Sequence, residues 1–166
     1  MNKKIIIICV IMATIAVSGC IKGPMDNIND IIPKLTENIR NGNLNFNEAV
    51  NYTNNKNYVI ADEKAQTALN YFTEAQNNLL EIKNYYSDIN DTTYIKYIDL
   101  LREEVHLKEN ATSQLQIAIQ NYKNGNDGTG NSYVAAANNV MKQGVVIQNQ
   151  REQLVLDNPD KFTTIQ

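Results

Sequence analysis

Between Tyr58 and Leu154, apolar and small residues recur at alternating intervals of three and four, with no stretch of strict every-second-residue alternation. That spacing lays one stripe along the side of an α-helix and argues against a strand-built fold. In the first segment, residues 58–86, the stripe is Ala61, Ala65, Ala68 or Leu69, Phe72, Ala75, Leu79, Ile82 and Tyr86. The second, residues 93–123, carries Tyr94, Ile98, Leu101, Val105, Lys108, Thr112, Leu115, Ile119 and Tyr122; the polar pair Lys108 and Thr112 predicts a seam that is loose at its centre. The last, opened by Ser132 as a cap, carries Tyr133, Ala137, Val140, Gly144, Ile147, Arg151 and Leu154. A polar turn at 87–93 and a glycine-rich loop at 124–131 are short enough to make these neighbours antiparallel.

Upstream, two shorter helices are expected. Asp30 can cap one over residues 30–41, with Ile28, Ile31, Ile32, Leu35 and Ile39 on one face, Pro33 in its first turn and Gly42 as its stop. The other, near 45–55, carries Phe46, Ala49, Val50 and Tyr52, and residues 54–57 form the turn after it. The reading is therefore all-α: an antiparallel helical bundle of three long helices plus two short N-terminal helices, over residues 26–158. Pro159 blocks further helix, and residues 159–166 read as a mobile tail.

The first nineteen residues belong to a different kind of segment. Lys3 and Lys4 precede a thirteen-residue apolar run from Ile5 to Val17, and Ser18, Gly19 and Cys20 follow. Leader, run and small residues have the layout of a signal peptide, too short for an ordinary spanning helix. Val17-Ser18-Gly19-Cys20 resembles the lipobox of prokaryotic membrane lipoproteins, bacterial or archaeal. The resemblance implies cleavage between Gly19 and Cys20, acylation of Cys20, a tether at 20–25, and a place on the extracytoplasmic face of the cell membrane. The competing reading is an uncleaved anchor over residues 5–21, at the lower limit for spanning. Cys9 lies in the run, so Cys20 is the single cysteine beyond it and no internal disulfide is available. Ala49-Val50-Asn51-Tyr52 and Ala118-Ile119-Gln120-Asn121-Tyr122, each ahead of a turn and an alanine-bearing helix, weakly resemble tetratricopeptide-like hairpins, although the spacing slips by one residue.

The inventory for chemistry is thin. Without Lys3 and Lys4 the chain has 13 bases against 18 acids and no basic block, so nucleic acid is not an expected partner. Glu103 and His106 have the Glu-x-x-His spacing of di-iron bundles, but His106 is the single histidine and the pair points away from the Leu101/Val105 seam; no metal site is expected. The 124–131 loop lacks the ligand register of a calcium loop, and its glycines read as turn residues. With one histidine, no Gly-x-Ser-x-Gly elbow and no thiol beyond Cys20, no catalytic residue and no cofactor is assigned. Adjacent Glu103 and Glu104 read as surface acids rather than a glycosidase pair. Asn51, Asn90 and Asn110 stand in glycosylation sequons, which a chain this rich in asparagine also produces by chance.

These observations point to a non-enzymatic helical interaction or spacer domain of the cell envelope. It would be held to membrane lipid through Cys20 and be able to meet an envelope protein or itself through the small residues Ala135, Ala136, Ala137 and Gly144. The alternative is a solute-binding or hydrolytic envelope lipoprotein that uses a groove lined by some of the nine tyrosines.

Overall fold

The computed structural model describes residues 23–162. The expected leader, the expected cleavage between Gly19 and Cys20 with acylation of Cys20, and residues 163–166 lie outside the described residues. Among these the chain is all-α, with four long helices: α1 Pro24–Asn54, α2 Tyr58–Lys83, α3 Thr92–Lys123 and α4 Asp127–Leu156. Single 3-10 turns occupy Tyr86–Asp88 and Pro159–Lys161. No described helix is long and apolar enough to cross a membrane.

The expected break at Gly42 is absent, and α1 runs through it. Ile28, Ile32, Leu35, Ile39, Gly42, Phe46 and Ala49 continue one spacing of four and three, so Gly42 lies in the seam itself. The missing side chain lets the buried Phe72 ring of α2 rest against the α1 backbone; a Cβ there would stand 2.6 Å from Phe72 Cε1. Glycine normally weakens a helix interior by about 1 kcal/mol relative to alanine, and here packing outweighs that cost. Gly42→Ala should therefore lower stability by about 1–2 kcal/mol, because overpacking outweighs the gain in propensity. Thermal melts by circular dichroism check this, and a raised midpoint would show that the ring has room to yield.

The last helix also starts early. Gly128 and Gly130 are helical, and the expected loop contracts to residues 124–126, where Gly125 takes φ 75. Gly130 is buried with the Tyr122 ring over its α-carbon. At the C-terminus, the 3-10 turn delivers Phe162 into the core between Tyr94 and Tyr97, at ring distances of 5.0 and 5.1 Å, so the described start of the tail is anchored rather than mobile. Burying the aromatic ring is strongly favourable, and the Pro159–Lys161 turn gives it the direction.

Helices α1 and α2 form one antiparallel hairpin, α3 and α4 a second, and the two join along α2 and α3. Their turns match bond for bond. In the first, the N–H groups of Asn55, Lys56 and Asn57 donate to the carbonyls of Asn51, Thr53 and Tyr52; in the second, those of Asn124, Gly125 and Asn126 donate to Gln120, Tyr122 and Asn121. Lys56 (φ 59) is thus the counterpart of Gly125, 69 positions on. The same offset carries Ala61, Ala68 and Ala75 onto Gly130, Ala137 and Gly144, a seven-residue ladder of small buried residues that lets each second helix lie close to its first. The sequence likeness between the halves is thus a matched pair of hairpins with different side chains.

Ala137 and Gly144 of the small face of α4 are used inside the molecule, while Ala135 is exposed and Ala136 half-buried. Gly144 faces Lys108 Cγ and Leu107 Cβ of α3, which would stand 3.2 and 3.5 Å from an added Cβ, and Ala137 is buried. At the turn end, Tyr58 and Tyr122 stack at 5.4 Å and tie one hairpin to the other.

Candidate functional site: a charged quartet at the floor of an open groove

The 69-residue offset isolates the place where the second hairpin departs from the first. Leu35, Ile39, Leu79 and Ile82 are buried in the first hairpin, in one apolar cluster with Leu101 and Val105. Their counterparts are Glu104, Lys108, Gln148 and Arg151. The fold accepts apolar side chains at these positions, so four polar ones there are not a requirement of the architecture.

Glu104 and Lys108 sit one turn apart on α3, at 0 and 1% side-chain exposure. Lys108 Nζ donates to Glu104 Oε1 at 2.7 Å and to Gln148 Oε1 at 2.8 Å, while Arg151 Nε donates to Glu104 Oε2 at 2.8 Å. The Arg151 guanidinium also lies over the Tyr97 ring, 5.8 Å from its centroid, a cation–π contact inside the fold. Thr112 closes the lower edge by donating to the Lys108 carbonyl at 2.7 Å. Burial drives the Lys108 ammonium below the ordinary lysine range against the pull of Glu104. For Arg151, burial acts downward but the Glu104 carboxylate outweighs it and raises the group.

Two expectations are corrected here. The seam of α3 is not loose at Lys108 and Thr112; both are buried and hydrogen-bonded. Glu104 is not a surface acid. Helix α3 packs on both α2 and α4, so its buried arc extends past the Leu101/Val105 stripe to include position 104. Glu103 and His106 are both exposed, outside that arc.

The quartet borders the outside through Gln148 and Arg151, which are partly exposed, because α1 and α4 do not pack on each other as neighbours. Between them runs a groove whose floor is α3. One cavity of about 250 Å³ is lined by Ile39, Arg40, Asn43 and Asn47 of α1 together with Glu104, Gln148 and Arg151. The next, about 220 Å³, shares Asn43, Asn47 and Gln148 with it and adds Phe46, Lys108, Met141 and Val145. A third, about 110 Å³, shares Phe46 and extends to Thr53, Leu115 and Val134. The rims expose Leu44 and Val145 at 52 and 43%. Arg40, Lys108 and Arg151 against the single Glu104 make this lining net positive in a chain whose formal charge is -3.

Elsewhere the sequence-derived candidates scatter. No group of three or more His, Cys, Asp or Glu side chains stands together among the described residues. No tyrosine lines any of the cavities above, nor a larger one between α2 and α3. Of the three sequons, Asn51 and Asn110 lie within helices, and their partners Thr53 and Thr112 are buried and bonded to the preceding turn. Asn90 alone sits exposed in a connecting loop, just before Asp91 caps α3 by accepting from the Thr93 N–H at 2.7 Å. Sequence reasoning missed the quartet as a unit, although Lys108 and Arg151 both occupied seam positions where a charge is out of place.

Comparison with protein-family models, with curated proteins and with solved structures finds no match.

Proposed function

We propose that the chain is a membrane-tethered, non-enzymatic interaction domain of the cell envelope, which receives an acid-bearing segment of a partner envelope protein in the groove between α1 and α4. The observation that carries the reading is the quartet itself: four positions that are apolar in the first hairpin are charged or amide-bearing in the second, and they open on the groove. Buried charges add little to stability over well-packed apolar residues, so their presence calls for a role in recognition. The amides of Asn43, Asn47 and Gln148 can donate and accept along a polypeptide backbone, and Arg40 and Arg151 favour carboxylates on it. The tether at Cys20 supports the location and stands on its resemblance to the lipobox.

A photo-crosslinking side chain placed in cells at Leu44 or Val145, on the groove rims, tests this. The expected result is one envelope protein attached from both positions and none from Glu81, which is exposed on α2. The same attachment should disappear when Glu104→Leu, Lys108→Ile, Gln148→Leu and Arg151→Ile are combined to copy the first hairpin. Attachment that is indifferent to the position of the probe, or that survives the four substitutions, would reject the groove as the docking surface.

A further inference from the structure

A cavity larger than those of the groove lies away from it, in the crease between α2 and α3. It measures about 440 Å³ and is lined by Gln76, Leu79, Leu80 and Lys83 of α2 and by Arg102 and His106 of α3. Helical spacing explains why these six meet. Gln76, Leu80 and Lys83 fall on one face of α2 at intervals of four and three, while Arg102 and His106 are one turn apart on α3. The volume is within the range of small-molecule sites, roughly 300–1,000 Å³.

Three of the six lining residues are basic and none is acidic, although the chain has more acids than bases. The two neighbouring carboxylates are already engaged: Asp99 with Arg102 at 3.1 Å and with the Tyr86 hydroxyl at 2.9 Å, and Glu109 with Gln76. Lys83 and His106 make no hydrogen bond or ion pair among the described residues, and Lys83 is the last residue of α2, where the helix carbonyls further favour its positive charge. Beside them, Leu80 stands 61% exposed, a large apolar side chain on the wall of a basic cavity. Two basic groups that find no acid, with Arg102 and an uncovered leucine beside them, define a ligand with an anionic head and a short apolar segment.

The geometry points to a binding site for an amphiphilic anion, a phosphate or carboxylate joined to an alkyl group. The head is held by Lys83, Arg102 and His106, and the alkyl segment lies on Leu79 and Leu80. Two sources offer that chemistry. The cavity lies toward the end of the bundle where α1 begins, since Met25 packs against the same cluster as Leu79, Ile82 and Tyr85. A chain anchored at Cys20 would hold that end within about 15 Å of the bilayer surface, because the four steps from Cys20 to Pro24 span no more. The ligand is then the headgroup region of an anionic lipid, or else a soluble amphiphile of the same class.

Equilibrium dialysis of radiolabelled hexyl phosphate against the full chain in phosphatidylcholine vesicles, with protein-free vesicles as blank, tests the site. Saturable uptake of one molecule per chain is expected, with inorganic phosphate at least about tenfold weaker because it leaves Leu80 uncovered. Lys83→Gln and Leu80→Ser should each weaken uptake by about fivefold. Both side chains are surface-exposed, and an unchanged helical circular dichroism spectrum would show that the variants fold. Uptake no greater than the blank, uptake indifferent to both variants, or inorganic phosphate binding as tightly as hexyl phosphate would overturn the assignment. Adding phosphatidylglycerol to the vesicles separates the sources. A lipid headgroup in the site suppresses hexyl phosphate uptake by the unmodified chain beyond the general repulsion measured with Lys83→Gln; a soluble ligand's site stays available.

Discussion

Glu104→Ala is expected to destabilise the fold by about 3–5 kcal/mol, more than a typical core truncation of the same size, because it leaves two cations buried without their carboxylate. Lys108 keeps Gln148 and Arg151 keeps the Tyr97 ring, but neither neighbour carries the compensating charge. The loss should depend on pH in a direction fixed by Lys108. Burial already lowers the proton affinity of that ammonium and Glu104 opposes the effect. Without Glu104 the folded protein releases the Lys108 proton at a lower pH than the unfolded chain does. Over that interval the unfolded chain holds the extra proton, so stability of the variant rises with pH. Urea unfolding of the full chain at pH 7 and pH 9 should show the gap to the unmodified protein narrowing at the higher pH. A gap of the same size at both would show that Lys108 stays charged in the cavity. Replacing the whole quartet at once, by Glu104→Leu, Lys108→Ile, Gln148→Leu and Arg151→Ile together, should recover most of the loss, since well-packed apolar residues replace a buried ion cluster at little or no cost.

The second large effect is at the other end of the core. Phe162→Ala should lower stability by about 3–5 kcal/mol, the range for truncating a fully buried phenylalanine. The ring holds Tyr94 and Tyr97 apart, and around it the Tyr94 hydroxyl donates to the Lys161 carbonyl, while Lys161 Nζ meets Asp91 at 2.7 Å and Thr93 at 3.0 Å. Near-ultraviolet circular dichroism of the tyrosines should weaken with the melting midpoint. The Lys161 contact holds the Asp91 carboxyl below the usual aspartate range. Its contribution is present above the unfolded pKa and is lost as pH falls through the folded one. Below about pH 4 the midpoint should fall more steeply for the unmodified chain than for Lys161→Met, in which the main cause of the shift is gone.

The fold class was readable because helical periodicity is a property of neighbours in sequence. Tyr58 and Lys123 mark helix ends in both the pattern and the structure, and Thr93 differs from the observed start by one residue. Glycine was the point at which local reasoning failed. At Gly42, Gly128 and Gly130 the weak helix propensity is a local quantity, whereas the packing of Phe72 and Tyr122 rings onto two of these positions is decided by residues 30 and 8 positions away. The unbroken four-three register through Gly42 was the available signal. For Phe162, proline and proximity to the chain end argued for mobility, and the lone ring between Lys161 and Thr163 argued the other way. The quartet was legible only in pieces: Lys108 and Arg151 sat in seams, but Glu104 belongs to the second flank of α3, which one stripe per helix does not represent. Pairing the halves at the correct offset needed the turn geometry.

The unbroken course of α1 also makes it a ruler. At about 1.5 Å per residue its 31 residues form a rod of about 46 Å, and the groove begins about 18 Å from the rod's start, at Thr36. A chain held by its N-terminal end therefore presents the groove at a set height along that rod. A joint at Gly42 would have let that height drift from one molecule to the next. Inserting a whole number of helical turns ahead of residue 36 would raise the reach while keeping the groove's facing, which makes stand-off distance a heritable property of a single helix.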